Sequence, residues 1–404
     1  MINRRTRPAR WRLLGTAVSV VVALSACGSP ENTPRGADET PHGYVEGAQE
    51  LPEPQSAIAY ASRGSERLQL LDLTTQKEKD VELSLGAQRI AEDGRFVYVD
   101  DGDRRLEIVD SGVWTVDHTD HVHYYRAPAR SVGVVSLDAA IDTITGSEAH
   151  TTIGTADGRI TVLDRRKLQS GDVAELSTID TRSSTPLAVP YADALLVALG
   201  DDPGRPANRI VAMDARGTPT GALDVPCAAP RGWAVLRGGA VIACETTVVR
   251  VKRQGDRLAA TAVAAPEAPI PPDGLAYRPR SNEAAVADRT GIWSVNAAKA
   301  TVRYVPAGDR RLVAAASPAD GDTVLALDES GALTSYDVAT GKALATASVL
   351  GSPSGASLTL DINRAYVAEP EARVIREIDY RDGLRTARTF RASERPDLAV
   401  EVGR

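Results

Sequence analysis

Aromatic side chains make up only 4% of the 404 residues, with four Trp and two Phe, and adjacent cysteines are missing altogether. The repeated-tryptophan propellers of quinoprotein dehydrogenases are thereby excluded. Cysteine is scarce too: besides Cys27 there are only Cys227 and Cys244, and neither has a His or second Cys at metal-ligand spacing. Lysine numbers six against 41 arginines, and basic residues total 47 against 54 acidic ones, a formal charge of −7. Five of the arginines precede Cys27 without an acidic counterpart, so the rest of the chain stands at −12. A body of that sign repels phosphate, which leaves nucleic acid without support as a partner and disfavours anionic membrane surfaces. No stretch after residue 56 sustains a 3.6-residue hydrophobic period for three turns, so helices are nearly ruled out. A P-loop and a Gly-x-Ser-x-Gly elbow are lacking as well, since Gly351-Ser352-Pro353-Ser354-Gly355 has proline at the nucleophile position. What remains is a globular composition, 43% hydrophobic and 25% charged, with an all-β pattern; with no such motif, an enzyme is not expected.

The N-terminus reads as an address. Residues 1–12 carry five Arg and no acid, and Leu13 to Leu24 is an apolar run of about twelve residues, too short to span a bilayer. Leu24-Ser25-Ala26-Cys27 resembles the bacterial lipobox, in which the Cys is lipidated and becomes the first mature residue. The expected organisation is a lipoprotein signal over 1–26, a lipidated Cys27 with a disordered Pro-rich tether over 27–56, and one domain over 57–404. The protein is then extracytoplasmic and held to the membrane by its lipid alone. In that oxidising compartment Cys227 and Cys244, 17 residues apart, read as a structural disulfide within one repeat; a thiolate metal site is the weaker alternative.

The domain repeats itself. A short apolar strand, a Gly/Asp turn and a second strand recur at 57–72, 95–110, 150–164, 194–214, 239–251, 284–295, 323–337 and 364–379. The average step is about 44 residues, the length of a four-stranded propeller blade. This predicts a single β-propeller of eight blades, with seven as the alternative should the irregular unit near 239–256 not count. Pro396 to Val400 resembles the inner-strand signatures elsewhere, yet no hairpin follows it, so it is expected to complete the first blade.

Five histidines occur in the chain, and three fall within Asp117-His118-Thr119-Asp120-His121-Val122-His123. On an extended segment His121 and His123 share a side, and a turn at Thr119-Asp120 brings His118 to them. Imidazoles suit Zn²⁺, and Asp117 or Asp120 can add a carboxylate as ligand or as orienting partner. The same donors also bind Cu²⁺. The cluster occupies an insertion, 111–130, and His150, placed at the start of an inner strand, is a candidate fourth ligand; His42 lies in the tether.

His42-Gly43-Tyr44-Val45-Glu46-Gly47-Ala48 and the stretch from Ser111-Gly112-Val113-Trp114 through His121-Val122-His123-Tyr124-Tyr125 together resemble the secreted zinc metallochaperones of the AztD type. That resemblance implies a β-propeller that hands Zn²⁺ to the solute-binding protein of a zinc ABC importer. It assigns His118, His121 and His123 to zinc, matches His150 to a further family histidine, and matches His42 to a mobile second site. The chain departs from the pattern at Ser183-Ser184-Thr185-Pro186, where a histidine pair is expected, and at Pro230-Arg231-Gly232, where Leu-His-Gly is expected. One zinc site is therefore expected to survive and a second is doubtful. A metal-free propeller that binds a cell-envelope protein is the other reading.

Overall fold

The computed structural model describes residues 44–404 apart from 119–120, 267–269, 272–273 and 321. The lipobox Cys27, His42 and Asp120 lie outside the described residues.

Four-stranded antiparallel sheets follow one another along the chain. The first joins Leu398–Val402 to Ala57–Ala61, Arg67–Asp72 and Glu78–Glu82, so the expected completion of the first blade by the C-terminal strand is borne out. The second contains Arg89–Glu92, Phe96–Asp100, Arg105–Asp110 and Arg130–Ser136, and the third Ile141–Gly146, His150–Thr155, Arg159–Asp164 and Glu175–Asp180. The fourth, fifth, seventh and eighth begin with Ala188–Tyr191, Gly232–Leu236, Leu312–Ala316 and Ser357–Leu360. A sixth has three strands, Glu283–Ala287, Gly291–Asn296 and Thr301–Pro306, with Ala276 bridged to Ala285 on its inner side.

Strands buried on both sides explain the apolar runs. In Ala57–Ala61 the alanines 57, 59 and 61 pack towards the second sheet, while Ile58 and Tyr60 pack towards the eighth. A hydrophobic cluster of this kind occupies each junction between successive sheets, from first against second round to eighth against first. The sheets therefore close on themselves as the blades of a β-propeller. The Asp that ends so many units starts a turn: Asp72 Oδ1 accepts the backbone N–H groups of Thr74 and Thr75 at 2.9 and 2.8 Å, and Asp214, Asp337 and Asp379 accept equivalent bonds. Only one short α-helix, Arg165–Gln169, is present among the described residues, capped by Asp164, and no described helix is long and apolar enough to cross a membrane.

Three sequence expectations change. The disulfide Cys227–Cys244 exists, but it does not stay within one blade. Cys227 follows Pro219–Pro226, the outer strand of the fourth sheet, and Cys244 follows Gly239–Ala243 of the fifth, so the bond staples two blades across their shared core. His150 opens the second strand of the third sheet, because Ile141–Gly146 holds the inner place. Residues 44–56, counted with the tether in the sequence, carry a strand of their own, Gln49–Leu51.

Candidate metal centre

The insertion folds as an antiparallel hairpin, Val113–Asp117 with Val122–Arg126, projecting between the third and outer strands of the second sheet. Its base is fixed by Gly112, whose φ of 73° suits glycine and at which a Cβ would strike the Ala127 carbonyl. Ala127 N–H donates to the Gly112 carbonyl at 2.7 Å, and Gly112 N–H donates to Asp110 Oδ1 at 3.0 Å. Asp110 is itself held by buried Arg95, through bonds of 3.1 and 2.7 Å.

Register decides what each face carries. Val116 stands opposite His123 and Trp114 opposite Tyr125, so these share one face; Thr115, Tyr124, Asp117 and Val122 share the other. On the first face the Trp114 and Tyr125 rings stack at 5.3 Å, and the Arg95 guanidinium lies 3.7 Å from the Trp114 centroid. These buried aromatics pin the hairpin to the ring, as does Val113 in the core between the first and second sheets. On the opposite face Thr115 Oγ1 donates to the Gly403 carbonyl at 2.9 Å, and Asp117 pairs with Arg280 at 3.2 Å. Thr115, Asp117, Arg280, Glu401 and Arg404 line a cavity of about 750 Å³ along the propeller axis, so the hairpin leans across the mouth of the channel.

The tip gathers the histidines. His118 N–H donates to the His121 carbonyl at 2.9 Å, which sets the two residues opposite one another, and His123 follows two positions on. Ring centroids lie 4.9 Å apart for His118 and His121, 5.3 Å for His118 and His123, and 4.9 Å for His121 and His123. One ligand nitrogen from each lies within 4.8 Å of the others. A tetrahedral Zn²⁺ with bonds near 2.1 Å holds its nitrogens about 3.4 Å apart, so these side chains would have to draw closer to hold one, and His121 is exposed.

The N-terminal strand Gln49–Leu51 adds a third strand beside Val122–Arg126, with Glu50 opposite Tyr125. From there Glu50 Oε1 meets His123 Nδ1 at 2.7 Å. A carboxylate can only accept, so Nδ1 donates, and in the neutral ring Nε2 then keeps the lone pair that a metal needs. Glu50 is the residue that sequence reasoning missed. Of the other predicted residues, the described ones, Asp117 and His150, are not grouped with the trio. Asp117 turns to Arg280 on the channel face. His150 pairs with Asp164 across its hairpin and is not drawn into the trio; burial lowers its pKa, Arg166 adds to that, and Asp164 opposes it.

Neither a protein-family model nor a curated protein matches this sequence. Solved structures do. Citrobacter koseri AztD superposes with a TM-score of 0.71 at 15% identity, covering 86% of this chain and 98% of that one. Its apo form superposes with a TM-score of 0.73 at the same identity and coverage. Moraxella catarrhalis BamB is a more distant match, with a TM-score of 0.51, 15% identity, and 80% and 93% of the two chains covered. The fold is that of AztD.

Within this AztD-type fold the departures noted in the sequence have local explanations. Ser183 is buried, and its Oγ lies 3.1 Å from Thr185 Oγ1 and accepts the Thr185 N–H at 2.9 Å. Hydroxyls close a turn at the place where the resemblance led to the expectation of a histidine pair. Arg231 is exposed, its backbone N–H donating to the Ala243 carbonyl at 2.8 Å. Among the described residues, the group of side chains that could hold a metal ion is the trio on the hairpin.

Proposed function

We propose that this chain is an extracytoplasmic, eight-bladed zinc-holding propeller. It carries Zn²⁺ on His118, His121 and His123 and passes it to the solute-binding protein of a zinc ABC importer. Three imidazoles converging on one face of a hairpin carry the reading, and the AztD-type fold and the sequence resemblance support it. Eight blades are supported by the eight junction cores, and an oxidising compartment by the disulfide. Attachment to the membrane through Cys27 rests on the lipobox pattern.

The chemistry is ligand exchange. Three protein donors leave a tetrahedral ion one position short, and an exposed His121 leaves that position open to an acceptor's side chain. A closed four-ligand cage would hold zinc as structure; an open one can release it by stepwise substitution. His118 and His123, half buried, hold the ion while the exchange proceeds.

Calorimetry on the zinc-stripped mature protein tests this. We expect one equivalent bound at neutral pH, and loss of binding in the His121→Ala/His123→Ala double variant. No saturable uptake, or uptake indifferent to the double substitution, defeats the proposal and leaves a metal-free envelope scaffold. Transfer is tested by mixing zinc-loaded protein with the importer's binding protein. Exchange must run faster than zinc dissociates into an equal concentration of chelator.

A further inference from the structure

We propose that Gln49–Leu51 is a detachable strap that sets the affinity of the histidine site, with Glu50 as its positioning residue; the inference rests on the zinc reading above. Three observations carry it. The strap reaches the site directly, since Glu50 Oε1 lies 2.7 Å from His123 Nδ1. That contact fixes both the tautomer and the plane of one ligand ring. Its hold on the sheet is slight. Three residues pair with one strand, Val122–Arg126, no other described strand lies along the outer edge, and Gln49 and Glu50 are exposed. So short an edge strand is marginal by itself in water.

The third observation is its place in the chain. On its C-terminal side the strap runs within a few residues into Ala57–Ala61, which is locked into the first sheet between Leu398–Val402 and Arg67–Asp72. On its N-terminal side the chain leads back towards Cys27. A load or a partner acting on the N-terminal segment therefore meets the strap before it meets the ring. Lifting the strap removes the carboxylate from His123 and leaves the hairpin's anchors, Trp114, Tyr125 and Arg95, in place. The site then persists with one ligand ring free to turn, a looser holder from which zinc leaves more readily.

Coupling of this kind is reciprocal. Whatever factor the docked strap adds to zinc affinity, bound zinc must add to strap docking. Loss of an orienting carboxylate typically costs 10- to 100-fold in metal affinity. We expect Glu50→Ala to weaken zinc binding by about that factor, with the thermal unfolding of the metal-free protein unchanged and the visible absorption of the Co²⁺-substituted site altered. Glu50→Gln, which keeps an oxygen to accept from Nδ1, should recover part of the loss. Hydrogen exchange gives the reverse arm. Zinc should slow exchange at the amides of 49–51 in the wild type and have no effect there in His121→Ala/His123→Ala. Wild-type affinity in Glu50→Ala, or strap amides that ignore zinc in a protein that binds it, overturns the strap alone. A wild type that takes up no zinc overturns the zinc reading and the strap with it.

Discussion

The guanidinium of Arg95 lies 3.7 Å from the centre of the Trp114 ring while both its Nε and one terminal nitrogen bond Asp110. A single buried cation thus ties the histidine-bearing hairpin to the second sheet by its charge on one side and by the ring quadrupole on the other. Arg95→Met should cost about 3–5 kcal/mol, because it strands a buried carboxylate. It should also weaken zinc binding through a loosened hairpin. Urea denaturation of Arg95→Met and of Arg95→Met/Asp110→Asn checks this: the second variant should recover part of the loss, and an unshifted midpoint in the first refutes the account.

The inter-blade disulfide closes a loop of 17 residues between Cys227 and Cys244. By chain entropy it contributes about 3 kcal/mol. Cys227→Ala/Cys244→Ala should lower the melting temperature without changing zinc stoichiometry, since no cysteine belongs to the trio. Loss of zinc in that variant would mean that the site depends on the fourth and fifth blades.

Glu401 sits in the closing strand, paired in register with Ile58 and almost wholly buried. Burial, reinforced by the charge of Asp361, raises its pKa well above the ordinary 4.5. The folded chain then keeps a proton that the unfolded chain releases, so the contribution of Glu401 to stability is full below about pH 4.5 and falls as pH rises past it. Glu401→Gln mimics the neutral acid. Melts at pH 8 should show a gain and melts at pH 4 none; an equal shift at both contradicts the assignment.

His150 gives the opposite slope. Its pKa is lowered from 6.5 chiefly by burial, so the unfolded chain binds the proton first and stability is lost as pH falls below about 6.5. His150→Gln should flatten that part of the acid limb and leave zinc affinity at neutral pH unchanged. A tenfold weaker zinc constant in this variant would return His150 to the site.

Cys27→Ala should release the protein into the aqueous phase of a detergent partition or block its processing. Wild type that is already aqueous rules out the anchor.

Much of this architecture is written in the residues. Each second strand buries both faces, so apolar runs such as Ala57–Ala61 recur with their Asp-capped turns and disclose the period. Two histidines a strand step apart and a third across a turn similarly disclose the trio. The strap does not show: Pro52 and Pro54 follow it directly, and three residues carry no periodicity. Nor does the place of His150, because the true inner strand Ile141–Gly146 is rich in hydroxyls. Its Thr145 donates to the Ala188 carbonyl of the next blade at 2.6 Å, an inter-blade bond that no hydrophobic pattern reveals. The disulfide's span was hidden for the same reason, since which strand of a sheet lies outermost depends on the ring.

Ring closure also governs how such a chain can mature. Ala57–Ala61 must wait for Leu398–Val402, a partner that emerges only after every other sheet has been made. Until then Ala57–Ala61 offers an unpaired, apolar edge to any strand that passes. Contacts of such long sequence separation form slowly. The nascent molecule therefore spends its most aggregation-prone interval with most of its blades ready and its last junction open, and any factor that shields that one edge governs how much folded protein results.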